Sequence, residues 1–168
     1  MYDNILVDIR IKITVMAESG GISVLRILIA EDDLTSRMFL GKFLSQYGAC
    51  DMVADGLKAI DAGMTAINEG KPYDLICLDI MMPKVDGVKV LKAIREFENR
   101  KGIASDRKSK IIMTTALSEA QFVQNAFEYG CEAYASKPID LNNMVEILER
   151  LGLIEKRQAG AQQSDISE

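Results

Sequence analysis

The sequence predicts an α/β fold, in which helices cover both faces of one doubly wound, parallel sheet. Two observations predict it. From residue 25 onward, short apolar runs alternate with stretches of helical periodicity, which indicates successive strand–helix units. Some of these runs are almost entirely apolar, as parallel strands buried on both faces are. A length of 168 residues and a hydrophobic content of 48% are enough for one domain with its own core.

The first half of the chain contains three predicted strands and two predicted helices. The strands are the runs 25–30, 49–54 and 74–79, of which the middle one is the weakest. The first helix ends at Gly48, and the second covers 56–69. Their apolar residues recur at intervals of three and four: Leu40, Phe43, Leu44 and Tyr47 in the first, and Leu57, Ile60, Met64 and Ile67 in the second.

The second half repeats this alternation. Strands are predicted at 110–115 and 131–136, and the polar stretch 99–108 is predicted to be a surface loop. The apolar residues of the three helices are Val90, Leu91, Ile94 and Phe97, then Phe122, Val123, Ala126 and Phe127, then Leu141, Met144, Val145, Leu148 and Leu151. Five strand–helix units predict a flavodoxin-like, doubly wound (βα)5 three-layer sandwich with strand order 2-1-3-4-5.

Composition excludes several classes of function. Twenty basic and 25 acidic residues give a net charge of −5, which argues against binding to nucleic acid or to an acidic membrane surface. The chain has no histidine, which excludes Ser-His-Asp triads, zinc sites with His ligands and phosphohistidine carriers. No apolar run approaches the about 18 residues that span a membrane, and no secretory signal is visible.

Three cysteines, Cys50, Cys77 and Cys131, lie far apart and suit neither a zinc site nor a disulfide framework. We expect buried thiols in a reducing compartment, and so a cytoplasmic protein.

Two terminal segments lie outside the predicted domain, which covers 25–154. In residues 1–24, Ile5, Val7, Ile9, Ile11, Ile13 and Val15 alternate with mostly polar neighbours. This pattern predicts either an extra edge strand, which could pair with the sheet or form a dimer with a second chain, or an extension upstream of the natural start. Residues 155–168 are small and polar, and predict a disordered tail. The tail is too short for a further folded domain, so a single domain is expected.

Acidic residues follow two strands that are neighbours in this strand order. Glu31 and Asp32 follow the first strand, and Asp79 ends the third. Ligands of doubly wound sheets bind beyond these strand ends, so the three carboxylates should converge there. Like charges at that distance need a cation, and an all-oxygen cluster favours Mg²⁺. The alternative is that the acids only solvate strand ends and cap the following helices.

Two further polar groups end the remaining strands. Thr115 ends the fourth strand, and Lys137 ends the fifth. A hydroxyl and an ammonium that face a carboxylate–Mg²⁺ site form a cradle for a tetrahedral oxyanion. The combination, rather than either residue alone, indicates a functional site.

These motifs resemble one family closely. The residues that carry the resemblance are Glu31-Asp32, Asp79-Ile80-Met81-Met82-Pro83, Asp86-Gly87, Thr115-Ala116 and Lys137-Pro138. In this order they resemble the receiver domain of two-component response regulators, the CheY-like superfamily, over about residues 25–153. The resemblance implies that Asp79 accepts a phosphoryl group from the phosphohistidine of a sensor histidine kinase or a histidine phosphotransfer protein. The missing histidine would then come from that partner.

The resemblance also assigns roles to the other residues. Glu31, Asp32, Asp79 and the backbone carbonyl of Met81 would hold Mg²⁺. Thr115 would donate a hydrogen bond to the phosphoryl group, Lys137 would pair with its oxygens, and the Lys137–Pro138 peptide would be cis. On phosphorylation Thr115 would move, Tyr134 would rotate inward, and a face formed by residues 118–151 would bind a downstream protein. The protein would be no enzyme beyond catalysing its own phosphorylation and slow autodephosphorylation.

Two positions predict a slow loss of the phosphoryl group. Met81 lies two residues beyond the acceptor, and Leu117 lies two beyond Thr115. In fast-hydrolysing receivers these positions tend to carry polar groups that orient the attacking water. Two apolar side chains should exclude that water.

Several alternatives stay open or are disfavoured at this point. The protein could be an interaction module that works without phosphorylation, or a phosphorelay intermediate rather than a terminal output. A haloacid-dehalogenase-type phosphatase needs a second Asp where Met81 stands. A flavin-binding domain needs a phosphate-cradling loop where Glu31 and Asp32 stand.

Overall fold

The computed structural model describes residues 24–116 and 126–156. Within these ranges the chain forms five strands, four helices with both ends described, the last residues of a further helix (126–128) and one short 3-10 helix, Ser105–Arg107. The strands are β1 (Leu25–Ala30), β2 (Gly48–Val53), β3 (Leu75–Asp79), β4 (Lys110–Ala116) and β5 (Ala133–Lys137). The helices are α1 (Leu34–Leu44), α2 (Gly56–Asn68), α3 (Gly87–Arg100) and α4 (Leu141–Arg150).

The five strands form one parallel sheet in the order β2-β1-β3-β4-β5, as the sequence predicts. The register decides where the site lies. Ala30 pairs with Leu78, so the next residue of each strand, Glu31 and Asp79, lies at the same edge of the sheet. Asp79 in turn pairs with Thr114. The carboxyl ends of β1, β3 and β4 therefore meet at one place.

Two hydrophobic cores lie on opposite faces of the sheet, because successive side chains of a strand alternate between faces. Leu28 and Ala30 of β1 pack with α2 and α3 on one face. Ile27 and Ile29 pack with α1 and α4 on the other. This is the three-layer arrangement predicted from the sequence.

The buried face of α2 differs from the prediction. Leu57 was expected on the apolar face of this helix, but it is 52% exposed. The residues that α2 buries include Ala59, Gly63 and Ala66. A Cβ atom added at Gly63 would lie 3.2 Å from Ile94 Cδ1 of α3. Small side chains let α2 and α3 approach closely, and this close approach outweighs the spacing of the larger apolar residues.

The sequence pattern also does not predict a charged network that lies at the amino ends of β4 and β5. On α3 the sequence pattern favoured Phe97, whereas the neighbouring Glu98 is fully buried. Its two carboxylate oxygens bind Arg95 at 2.6 Å and the backbone N–H of Ser109 at 2.9 Å. Arg95 continues to the carbonyl of Gly130 (2.9 Å) and to Glu132 (2.9 Å), and Glu132 accepts the N–H of Ile111 at 2.6 Å.

Other boundaries shift by a few residues. Tyr47 lies beyond the end of α1, and α3 continues to Arg100, into the stretch predicted as a loop. Cys77 and Cys131 are buried as predicted, but Cys50 is only half-buried because β2 is an edge strand.

Several predictions concern residues outside the described ranges. They are the extra strand within 1–23, most of the helix at 122–127, the apolar group at Leu117 and the tail at 157–168. Of the residues that are described, none belongs to a helix with the length and apolarity needed to cross a membrane.

Candidate functional site

The loop after β1 separates the three consecutive acids. Glu31 is 1% exposed, whereas Asp32 is exposed. Asp33 caps α1, since its Oδ1 accepts the backbone N–H of Ser36 at 2.7 Å. Its own N–H donates to Glu31 Oε1 at 3.1 Å. Helix capping, the alternative explanation for these acids, therefore applies to Asp33 and leaves Glu31 and Asp32 for the site.

Arg37 stabilises this loop, and sequence analysis did not identify it. Its guanidinium donates to the backbone carbonyl of Glu31 at 2.6 Å and to that of Asp32 at 3.1 Å. The side chain thus reaches back from α1 and fixes the backbone that carries both carboxylates. A single arginine in a helix gives no sequence pattern that predicts such a contact.

Asp79 lies at the end of the fully buried strand β3 and is itself 3% exposed. Its Oδ1 accepts a long hydrogen bond, 3.4 Å, from the N–H of Met81. The backbone returns to this point at Gly87, whose N–H donates to the carbonyl of Ile80 at 2.8 Å. A Cβ atom at Gly87 would lie 2.2 Å from the carbonyl oxygen of Asp79, so this close approach requires glycine.

Carboxylate oxygens of Glu31, Asp32 and Asp79 all lie within 4.8 Å of one another. Lys137 enters this cluster from the end of β5. Its Nζ lies 2.7 Å from Glu31 Oε2 and 3.0 Å from Asp79 Oδ2. The Lys137–Pro138 peptide that follows is cis, as the family resemblance implies. One ammonium therefore pairs with two of the three carboxylates.

Burial, together with the neighbouring charges, changes the pKa of Asp79. Burial raises the pKa of Asp79 to about 7, and the charge of Glu31 adds to the rise while Lys137 opposes it. Burial lowers the pKa of Lys137, but its hydrogen bonds and charge interactions with Glu31 and Asp79 outweigh this and raise it overall. Buried oxygen ligands that lack sufficient positive charge suit a hard divalent cation such as Mg²⁺.

Thr115 lies on the strand beside Asp79. It is buried at the end of β4, and its hydroxyl donates a hydrogen bond to the carbonyl of Ala116 at 2.9 Å. In register it pairs with Ser136, the residue before Lys137. The structure thus places Thr115 at the same sheet edge as the acids and Lys137.

Tyr134 lies on β5 with its side chain directed outward. It is 48% exposed, and its ring meets that of Phe127 edge to face, with 5.8 Å between centroids and 82° between planes. Phe127 is also exposed. Tyr134 is therefore in the outward position from which the family resemblance expects it to rotate.

An apolar cavity of about 290 Å³ borders the acidic cluster. Its walls come from α1 and from the segment after β5. The lining includes Glu31 and Lys137, and the apolar side chains Phe39, Leu40, Pro138 and Ile139.

A comparison with known protein families identifies the family of this chain. The model of the response regulator receiver domain matches residues 27–149. The chain belongs to the response regulator receiver family. The matched range contains every residue of the acidic cluster, together with Lys137 and Tyr134. It lies within the domain boundaries, 25–154, predicted from the sequence.

The chain is also similar to individual curated proteins and to solved structures. A probable histidine kinase 2 of Oryza sativa subsp. indica is 34% identical over 132 residues, which are 73% of this chain but 12% of the kinase. A probable chemotaxis protein CheY of Rhizobium etli is 31% identical, covering 74% of this chain and 90% of that protein. A receiver domain of a Pseudomonas aeruginosa sensor histidine kinase, solved with magnesium in its active-site cleft, has a TM-score of 0.63 at 26% identity and covers 77% and 99% of the two chains.

Proposed function

We propose that this receiver domain takes a phosphoryl group onto Asp79 from the phosphohistidine of a sensor kinase or a histidine phosphotransfer protein. One observation carries the proposal: Asp79 lies buried at a strand end with one carboxylate oxygen 3.0 Å from Lys137 and with Glu31 and Asp32 beside it. The curated relatives support the same pathway, since they include both a histidine kinase and a chemotaxis regulator.

The phosphoryl group moves from a donor nitrogen to an Asp79 oxygen. An Asp79 oxygen forms the new O–P bond while the N–P bond of the donor imidazole breaks, and the imidazole nitrogen keeps the electron pair and takes up a proton from solvent. Asp79 must be ionised to act as nucleophile. Lys137 then pairs with the oxygens of the transferred group and neutralises part of their charge. Thr115 donates a hydrogen bond to one of these oxygens.

Glu31, Asp32, Asp79 and the carbonyl of Met81 are the groups that would hold Mg²⁺. The bound ion would supply positive charge to the phosphoryl oxygens during transfer. The protein residues themselves orient the acceptor, and Lys137 opposes the rise in the pKa of Asp79. Glu31 is fixed by the N–H of Asp33, and Lys137 spans Glu31 and Asp79.

Phosphorylation would act on a protein-binding face. When Thr115 turns toward the phosphoryl group, the space it leaves allows Tyr134 to rotate inward, away from Phe127. The face at 118–151 then changes shape and binds a downstream protein. The chain's activity would be confined to its own phosphorylation and slow dephosphorylation.

Mass spectrometry after incubation with acetyl phosphate and Mg²⁺ tests the proposal. We expect a gain of about 80 Da, the mass of one phosphoryl group, in the wild type. Asp79→Asn should show none, because the amide nitrogen and oxygen cannot replace the nucleophilic carboxylate. An unmodified wild type would contradict the proposal and favour an interaction module that works without phosphorylation.

We also expect the phosphorylated protein to persist for many minutes. Met81 places an apolar side chain two residues beyond the acceptor, and this side chain cannot orient an attacking water. The half-life is measured by removing acetyl phosphate and following the loss of the added mass. Met81→Asn, which restores a polar group, should shorten it. Decay of the wild type within seconds would contradict this prediction.

The pathway has two candidate forms. In one, the phosphorylated domain binds its target directly; in the other, it passes the phosphoryl group to a histidine phosphotransfer protein. A long-lived phosphoryl aspartate is compatible with both. Incubating the phosphorylated domain with such a protein, and following the added mass on each partner, distinguishes them.

A further inference from the structure

We propose that Lys84 and Asp55, which lie outside the acidic cluster, position the loop that presents the Met81 carbonyl, and so tighten the binding of a divalent cation. This inference rests on the proposed function, because it concerns the same cation site. The loop concerned is residues 80–86, between β3 and α3, and we call it the acceptor loop.

The backbone of the acceptor loop is unfavourable at one residue. Lys84 has φ = 67°, and it is the one non-glycine residue in the described ranges with a positive φ. Left-handed backbone is costly for a side chain with a Cβ atom and persists where surrounding contacts hold it. A lysine at such a position therefore suggests that its side chain makes a contact worth that cost.

Asp55 supplies that contact. Lys84 Nζ lies 2.8 Å from Asp55 Oδ2, and the Asp55 side chain is 8% exposed although Lys84 itself reaches the surface. The other oxygen of Asp55 accepts the backbone N–H of Lys58 at 2.9 Å and thereby caps α2. One buried carboxylate thus joins the first turn of a helix to the acceptor loop.

A second contact holds the start of α2 against the acceptor loop. A Cβ atom added at Gly56 would lie 1.9 Å from the carbonyl oxygen of Val85, so the backbone at the start of α2 touches that of the acceptor loop. The acceptor loop is thereby fixed in its middle by Asp55 and Gly56, and at its end by the close approach of Gly87 to Asp79. Met81 lies between the strand end and these fixed points, so the direction of its carbonyl depends on them.

The positive charge of Lys84, taken alone, would weaken the binding of a divalent cation. Lys84 adds positive charge to the loop after Asp79, and a nearby positive charge repels a divalent cation. If Lys84 acted only through its charge, removing the charge would tighten cation binding. If it acts by positioning the acceptor loop, removing it weakens binding. The sign of the change therefore separates the two explanations.

The experiment measures Mg²⁺ affinity by NMR titration of the full chain without any phosphodonor. Lys84→Met should weaken Mg²⁺ binding by about three- to tenfold, less than the about 10- to 100-fold typical of buried partners of metal ligands, because Lys84 is half exposed. The amide signals of residues 80–86 should shift in the metal-free protein. Lys84→Arg keeps the charge and the reach, and should restore both properties.

Lys58→Met is the matched control. Lys58 Nζ lies 4.0 Å from the same oxygen of Asp55, but Lys58 belongs to α2 and not to the acceptor loop. Its removal should leave Mg²⁺ affinity within twofold. Lys84→Gly is a second variant that tolerates the positive φ, and its affinity should lie between those of the wild type and Lys84→Met.

Each outcome bears on the proposal. Unchanged or tighter binding by Lys84→Met, or an equal loss in Lys58→Met, would overturn it while leaving the function of Asp79 intact. Mg²⁺ binding that responds as expected, in a protein that acetyl phosphate does not modify, would instead contradict the proposed function. A wild type that binds no Mg²⁺ would overturn both.

Discussion

Asp79→Asn is expected to stabilise the metal-free protein, and the stabilisation should grow by about 3 kcal/mol between pH 5 and pH 8. Burial raises the pKa of Asp79 from 3.8 to about 7. Between these two values the folded state holds a proton that the unfolded state has released. The free energy of unfolding therefore falls as the pH rises, and asparagine, which does not ionise, removes this dependence.

Urea denaturation of wild type and variant at the two pH values measures the effect. Saturating Mg²⁺ should abolish the advantage of Asp79→Asn, because bound cation favours the ionised carboxylate. Asp61→Asn, at an exposed position on α2, is the control and should change little at either pH. A difference between Asp79→Asn and wild type that stays constant with pH would show that Asp79 is not protonated in the folded state.

Glu98→Ala is expected to lower the free energy of unfolding by about 3–5 kcal/mol, which is typical when one partner of a buried ion pair is removed. The substitution leaves the N–H of Ser109 without its acceptor and Arg95 without its closest counter-charge. It also leaves a cavity where the carboxylate was, since Glu98 is fully buried. Urea denaturation measures the loss.

Glu98→Gln separates the stability effect of the charge from that of the side-chain volume. The amide retains an acceptor for the Ser109 N–H but presents no negative charge to Arg95, so we expect about half of the loss. Glu96→Ala, at an exposed position on the same helix, should change stability by no more than about 0.5 kcal/mol. Equal effects of Glu96→Ala and Glu98→Ala would contradict the importance of the network.

The strand order and the acidic cluster could be predicted because both follow from local patterns. Apolar runs that end in Glu31, Asp79 or Lys137 become neighbours once the chain is doubly wound, so strand-end residues converge without any knowledge of side-chain contacts. Parallel pairing places all of these ends at one edge. The sequence therefore indicates the site through the topology.

Contacts between distant residues could not be predicted in the same way. Glu98 is buried because Arg95 and the Ser109 N–H satisfy it, and hydrophobic periodicity favours its neighbour Phe97 instead. Leu57 is exposed because the α2–α3 interface requires small residues, which depends on how close the two helices lie. Lys84 depends on a positive φ that no apolar pattern reveals.

The Glu98 network and the acidic cluster occupy opposite ends of the sheet, separated by the length of β4, about 20 Å at about 3.3 Å per residue. Substitutions that far apart, with no shared contacts, are additive. The free-energy changes of Asp79→Asn and Glu98→Ala should therefore sum in the double variant. Stability lost at one end of the sheet can thus be compensated at the other without altering the contacts of either site.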